Sequence, residues 1–153
     1  MKYQIVLQHS EEDCGAACLA TISKHYGRTF AINRVREAVG TGSRGTSLLG
    51  LSRGAEILGF NARQVKLNFQ LLDQLQQAHL PAIIHWKGYH WVVLYGQKGK
   101  KYVIADPGVG IRYLTRQELV AGWGNGVMLL LTTGKSRFYQ QESDKIGGLG
   151  RYL

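Results

Sequence analysis

The chain has 153 residues, and 44% of them are hydrophobic, which suits one domain with a buried core and excludes a largely disordered protein. Its formal charge of +9 is scattered along the sequence, without a run of five basic residues or a nucleic-acid-binding signature. This pattern favours a solvated basic surface, with a nucleic-acid partner, a membrane surface or an acidic ligand as alternatives. No apolar run reaches the roughly 20 residues of a membrane span, and the N-terminus does not resemble a signal peptide. We therefore expect a soluble, cytoplasmic segment with free thiols.

The N-terminal part of the chain has the pattern of three helices. They are predicted over residues 14–26, 33–39 and 47–58. Asp13 is expected to cap the first helix and Thr46 the third, because their side-chain oxygens accept hydrogen bonds from free backbone N–H groups. A glycine follows each segment and gives the helix a C-terminal stop.

The rest of the chain is dominated by strand patterns. A strand over 60–67 and a helix over 69–78 come first. Further strands are predicted over 81–86, 90–96, 101–108, 111–114 and 127–133. Thr115 and Glu118 form a capping-box pattern that opens a short helix through Val120. Helices followed by a meander of strands indicate an α+β fold, with an N-terminal helical half packed on a C-terminal antiparallel sheet.

The two cysteines of the chain stand four residues apart, at the start of the first predicted helix. There the backbone N–H groups and the helix dipole favour a thiolate at Cys14, which suits a nucleophile. Glu11, Glu12 and Asp13 oppose a second negative charge, so a cationic partner is needed. Cys18 lies one turn further and is expected to be a small buried side chain. The spacing is not that of a zinc site, which makes a metal centre the weaker alternative.

Three further residues complete a possible catalytic set with Cys14. His90 begins a predicted strand and Asp106 ends the next, so a short connection can bring them within hydrogen-bonding distance. Gln8 precedes the cysteine and could donate an amide N–H to an oxyanion. Each of these residues alone is more often structural, and only the set points to a thiol nucleophile with a base and an orienting acid. His85 is the alternative base.

The segments QHSEEDCG (8–15), GYHWVVL (88–94) and ADP (105–107) resemble the N-terminal papain-like cysteine peptidase domain of peptidase-containing ABC transporters, which process and export bacteriocins. The segments GTSLLGL and AEILGF, which begin at Gly45 and Ala55, resemble that family as well. The resemblance covers about residues 4–133. It implies a papain-like peptidase domain over 1–134 and a linker over 135–153 toward a transmembrane domain, so that the chain would be an excised domain.

The resemblance also implies roles for the site residues. Cys14 would be the nucleophile, His90 the base, Asp106 its orienting partner and Gln8 the oxyanion-hole residue. The substrate would be a precursor peptide whose amphipathic leader ends in a Gly-Gly or Gly-Ala type motif. The alternative is a docking module that binds the leader without efficient cleavage. Some relatives have lost the cysteine and only dock their substrate, so the presence of Cys14 favours the peptidase.

The partners implied by the resemblance are the transmembrane and nucleotide-binding domains of the same transporter, and no nucleic acid. No cofactor is expected for the peptidase domain, with ATP used only in the full transporter at the cytoplasmic side of a bacterial membrane. Residues 146–148 (Ile-Gly-Gly) imitate a cleavage site but lack leader-like apolar residues before them, so we interpret them as linker. The aromatic candidates for leader contacts, each expected more often in the core or at a rim, are Trp86, Tyr89 and Trp91.

Overall fold

A computed structural model describes residues 2–134 and 137–144 of the chain. The helices are α1 (Cys14–His25), α2 (Ile32–Val39), α3 (Leu48–Ile57), α4 (Arg116–Trp123) and α5 (Arg137–Gln140). The strands are β1 (Asn61–Lys66), β2 (Ala82–Trp86), β3 (His90–Lys98), β4 (Lys101–Asp106), β5 (Gly110–Leu114) and β6 (Val127–Thr132). Within the described ranges, no helix combines the length and the hydropathy that crossing a membrane requires.

The six strands form one antiparallel sheet in the order β1-β6-β2-β3-β4-β5. Because successive side chains of a strand point to opposite faces, the sheet supports two cores. Ile83 and Val93 face the layer formed by α1, α2 and α3. Ile84 and Val92 face the opposite side, where α4 packs. The predicted α+β architecture is confirmed, and both faces of the sheet are covered.

The two predicted N-caps are wrong in detail. Asp13 has helical backbone angles and makes no capping hydrogen bond, because a 3-10 turn leads directly into α1. At α3 the cap is Ser47, whose hydroxyl accepts a hydrogen bond from the N–H of Gly50 at 3.0 Å. The Thr46 hydroxyl pairs instead with that of Thr41 at 2.7 Å. Either hydroxyl could serve as a cap chemically, and the path of the preceding loop decides which one does.

The predicted helix after β1 is a 3-10 helix, Phe69–Gln77, rather than an α-helix. Its two buried side chains, Leu72 and Leu75, are three residues apart. A 3-10 helix has three residues per turn, so this spacing places both on the face that packs on the sheet. At α4 the predicted capping box of Thr115 and Glu118 is confirmed.

Residues 137–144, here called the C-terminal segment, pack against the helical layer. Phe138 of α5 is fully buried, with its ring centroid 4.6 Å from that of Phe60. The N–H of Asp144 donates to the carbonyl of Thr29, and its carboxylate lies 3.2 Å from Arg34 of α2. The packed part of the domain therefore extends past residue 134, where the sequence placed the start of a linker. Residues 146–148, also assigned to that linker, lie outside the described residues.

Substitution of Phe138 by alanine tests the packing of the C-terminal segment. We expect Phe138→Ala to lower the free energy of unfolding by about 3–5 kcal/mol, because it removes a buried aromatic ring and leaves a cavity. Urea unfolding measures this difference. The neighbouring exposed variant Gln140→Ala is the control, with a change within about 0.5 kcal/mol. Equal stability of the two variants would contradict the packing of Phe138 in the core.

Candidate active site

Helix α1 fixes the position of Cys14. All residues from Cys14 to Ser23 are buried, so the helix cannot shift without disturbing the core. Cys14 is 4% exposed and lines a cavity of about 250 Å³ together with Thr46 and Trp91. Cys18 lies fully in the core, where burial first, and the charges of Cys14 and Asp106 after it, raise its pKa well above the ordinary value. Cys14 therefore borders a cavity, whereas Cys18 is enclosed by the core.

Strands β3 and β4 bring His90 and Asp106 together. His90 is the first residue of β3, Asp106 is the last of β4, and Nε2 of the imidazole lies 2.8 Å from Oδ1 of the carboxylate. Since a carboxylate only accepts hydrogen bonds, Nε2 carries the proton and Nδ1 is free for a different partner. The same Oδ1 accepts the N–H of Gly108 at 2.9 Å, in a turn closed by the N–H of Val109 on the Asp106 carbonyl.

The electrostatics of this pair favour the charged forms of both residues. Burial of the imidazole opposes its protonation, but the hydrogen bond to Asp106, the interaction with the nearby Cys14 thiol and the negative charges of both raise the pKa of His90 to about 9. Burial likewise works against the Asp106 carboxylate. The hydrogen bonds from His90 and Gly108 outweigh it and, together with the charges of His90 and Arg112, lower the pKa of Asp106. At neutral pH the imidazolium is therefore the favoured form of His90.

Gln8 lies at the same cavity as the His90–Asp106 pair. Its backbone N–H donates to the carbonyl of Pro107 at 2.9 Å, which ties the N-terminal segment to the turn after β4. Its side chain lines a cavity of about 380 Å³ together with His90 and Asp106. The buried Oε1 of Gln8 has no hydrogen-bond partner within residues 2–134 and 137–144. A buried acceptor without a partner is unusual, and it belongs to a side chain that lines the same cavity as the imidazole.

The four residues singled out in the sequence meet at the junction of the two layers. Gln8, His90 and Asp106 line one cavity, and Cys14 lines the adjoining one. Glu11 and Tyr89 border both cavities, so the two form a continuous cleft. The interaction of His90 with the Cys14 sulfur, which contributes to its raised pKa, links the two halves of the cleft.

Sequence reasoning missed the partner of Asp13, the residue before Cys14. Its carboxylate is fully buried and lies 3.0 Å from Nε of Arg36 on α2. It also accepts a hydrogen bond from the Ser10 hydroxyl at 3.1 Å. The guanidinium compensates a negative charge that would otherwise oppose a thiolate at Cys14. Two cations therefore take the place of the single partner that was expected. Arg36 compensates the charge of Asp13, and the His90 imidazolium interacts with the sulfur of Cys14.

The loop before α3 forms the wall of the cleft beside Cys14. Its residues Ser43, Arg44 and Thr46 line the cavity, and the indole N–H of Trp91 donates to the Thr46 carbonyl at 2.9 Å. This hydrogen bond fixes the loop to β3, one residue after His90. No signal in the sequence pairs the two residues, because they are 45 positions apart.

The remaining candidates have other environments. Nδ1 of His85 lies 3.3 Å from the Asn125 amide, and its ring packs on Trp91 at 4.5 Å. His85 lines neither half of the cleft. Burial, and then the charge of His90, lower the pKa of His85. Trp86 and Trp91 are buried, as expected for core residues, whereas Tyr89 is 77% exposed at the cleft. The described residues contain no group of His, Cys, Asp and Glu side chains suited to a metal ion.

A buried helix that begins at a cysteine, packed on an antiparallel sheet that carries a His–Asp pair, is the arrangement of papain-like cysteine peptidases. The sequence model of the Peptidase C39 family matches residues 2–136, and the chain belongs to this family. The expected papain-like fold and the cysteine peptidase class are confirmed.

Known relatives agree with this assignment. The colicin V secretion/processing ATP-binding protein CvaB of Escherichia coli is 35% identical over 139 residues, which cover 91% of this chain and 19% of CvaB. The peptidase domain of Streptococcus ComA, a bi-functional ABC transporter involved in a quorum sensing pathway, superposes with a TM-score of 0.78 at 31% identity, covering 85% of this chain and 98% of that domain. The chain spans about a fifth of the length of the curated relatives it matches.

A second solved structure is a double glycine motif protease from an AMS/PCAT transporter in complex with the leader peptide. It superposes with a TM-score of 0.77 at 29% identity, and the match covers 85% of this chain and 91% of that chain. A protein of similar structure has therefore been observed with a leader peptide bound.

The raised pKa of His90 makes stability depend on pH. The folded-state pKa of about 9 exceeds the ordinary 6.5, so the imidazolium stabilises the fold fully below about pH 6.5, and this contribution is lost as pH rises through 9. We expect the free energy of unfolding to fall over this window in the wild type. In Asp106→Asn the fall should be smaller, because the carboxylate charge that raises the pKa is gone. Urea unfolding at a series of pH values measures both slopes, and equal slopes would contradict the coupling.

Proposed function

We propose that this domain removes the leader from a precursor peptide, by cleavage after a Gly-Gly type motif, as the N-terminal domain of an ABC exporter. The observation that carries the proposal is the 2.8 Å His90–Asp106 pair facing Cys14, in a chain of the Peptidase C39 family. The names of its relatives support it, since one is a secretion/processing protein and another is a double glycine motif protease with bound leader peptide.

Cys14 is the nucleophile in this proposal. Its proton passes to Nδ1 of His90. The sulfur then attacks the carbonyl carbon of the second glycine. Collapse of the tetrahedral intermediate breaks the C–N bond, and the His90 imidazolium gives its proton to the departing amine. A water molecule, deprotonated by His90, then hydrolyses the thioester and releases the leader acid with the free thiol. Asp106 keeps the proton on Nε2, so that Nδ1 faces the sulfur throughout.

Gln8 supplies the oxyanion hole together with the backbone N–H of Cys14. The amide of Gln8 lies in the cavity beside the imidazole, and its Oε1 lacks a partner among the described residues. Rotation of the amide exchanges its oxygen and nitrogen, so the same position can present the NH₂ group to a developing negative charge. The hydrogen bond from Gln8 to Pro107 holds the residue beside the turn that carries Asp106.

The shape of the cleft supports a requirement for glycine. Tyr89 and Glu11 border both cavities, and the loop from Ser43 to Thr46 forms the wall beside Cys14. A peptide backbone that reaches the buried sulfur must pass between these walls, and glycine permits the closest approach. Large exposed apolar side chains on the rim, suited to an amphipathic leader helix, are Leu7, Tyr89 and Val109.

The rest of the transporter defines the setting of the reaction. In this proposal the domain lies at the cytoplasmic side of a bacterial membrane and is joined to transmembrane and nucleotide-binding domains, where ATP is used. The relatives matched by the chain are about five times its length, which leaves room for both domains. The competing function is leader docking without cleavage. The two functions differ in whether Cys14 cleaves the bound peptide.

A synthetic precursor peptide with a double-glycine leader tests the function. We expect the wild-type domain to cut it after the second glycine and Cys14→Ala to leave it whole, with mass spectrometry of the products as the measurement. Cys18→Ala is the matched control and should cut, because Cys18 lies in the core away from the cleft. If the wild type and Cys14→Ala both bind the peptide and neither cuts it, the docking function is correct.

Substitution of Gln8 tests the oxyanion hole. We expect Gln8→Ala to lower kcat about 10²–10³-fold with little change in KM, because the lost donor acts on the transition state. Steady-state cleavage of the same peptide measures both constants. Gln74→Ala, an exposed glutamine on the 3-10 helix, should keep wild-type values. A rise in KM without a fall in kcat would instead assign Gln8 to peptide binding.

A further inference from the structure

The hairpin between β2 and β3 carries His90 at its tip. Trp86 and His90 are paired across the two strands and close a three-residue loop. Within this loop Lys87 has a positive φ of 53° and Gly88 one of 78°, which makes the turn tight. The position of His90 relative to β4 therefore depends on what supports this end of the hairpin.

The support is helix α4. The N–H of Lys87 donates to the carbonyl of Gly122 on α4 at 2.7 Å. The Trp86 indole lies directly against the Cα of Gly122. A Cβ built on Gly122 would be 2.7 Å from Cε2 of the indole and closer still to Cζ2 and Cη2, nearer than real Cβ atoms approach other atoms.

We propose that Gly122 is a positioning residue for His90: its missing side chain lets Trp86 lie directly against α4, and this contact sets the distance between the imidazole and Asp106. Gly122 is not among the residues that line the cleft. A glycine inside a helix lowers helix stability relative to alanine, so the close approach of Trp86 explains what glycine provides here.

Helix α4 has contacts of its own that do not involve the hairpin. Its N-terminus is fixed by the capping box of Thr115 and Glu118. Near its C-terminus the buried Trp123 donates its indole N–H to the Val127 carbonyl at 2.9 Å, and Leu119 is fully buried.

The hairpin is paired with β6 at Ile83 and Ile84 and with β4 from Val93 onward, so its tip, which carries Trp86 and His90, has no neighbouring strand to hold it in the described part of the chain. A methyl group at residue 122 would therefore displace Trp86 and the tip of the hairpin.

Displacement of the hairpin acts on the imidazole through its hydrogen bond. The bond from His90 to Asp106 weakens steeply when its length or angle changes. The titratable and charged groups about His90 come from several elements: Cys14 of α1, His85 of β2, Asp106 of β4, Arg112 of β5, Lys87 of the hairpin loop and Glu11 of the 3-10 turn. Of these, Asp106 makes the largest contribution that raises the pKa of His90, so the titration of His90 reports the pair.

The experiment is an NMR titration of His90 in the whole domain, which needs no substrate and is independent of whether the domain cuts a leader. We expect a midpoint near 9 in the wild type and one at least about one unit lower in Gly122→Ala. Gly54→Ala is the matched control, because it places a methyl group against Val39 in the contact of α3 with α2. It should lower the thermal midpoint while the His90 titration keeps its wild-type midpoint.

A second variant covers the possibility that Gly122→Ala does not fold. Trp86→Phe lacks the outer indole atoms, so the hairpin loses its support and the His90 midpoint should fall. Combining it with Gly122→Ala should bring the midpoint back toward 9, because the new methyl group fills the vacated space. A wild-type midpoint in either single variant, or a fall in Gly54→Ala as large as that in Gly122→Ala, would overturn the proposal.

Discussion

The hydrogen bond between His90 and Asp106 is the interaction on which the site depends. Asp106 is only 4% exposed, and a buried carboxylate is stable only when it is paired and hydrogen-bonded. The turn after β4 supplies one donor, the Gly108 N–H, and β3 supplies the other. Because the same bond fixes the proton on Nε2, the fold and the chemistry impose one orientation on the imidazole.

The cleft lies where the helical layer meets the sheet, and each layer contributes one half of it. The helical layer provides Cys14 on a helix that is buried along most of its length. The sheet provides His90 and Asp106 at the ends of neighbouring strands. The ion pair of the buried Asp13 with the partly exposed Arg36 stabilises the start of this helix, because it compensates the buried carboxylate. Thus the relative position of the layers sets the distance between sulfur and imidazole.

The sequence alone was sufficient for the order of helices and strands from α1 to β6, because periodicity and glycine stops are local signals. It was also sufficient to bring His90 and Asp106 together, since the ends of adjacent antiparallel strands must meet. Pairings that depend on tertiary packing could not be predicted. Asp13 meets Arg36 only because α1 and α2 cross, and Ser47 rather than the adjacent Thr46 caps α3 because of the loop path. Phe138 was missed because the polar residues around it show no periodicity.

Helix α2 makes two ion pairs that connect distant parts of the chain. Arg34 forms an ion pair with Asp144 in the C-terminal segment, and two residues further on Arg36 forms one with Asp13, the neighbour of Cys14. One helix of only eight residues therefore connects the C-terminal segment to the residue that precedes the thiol. A displacement of the C-terminal segment therefore has a direct structural route, through α2, to the backbone just ahead of the reactive sulfur.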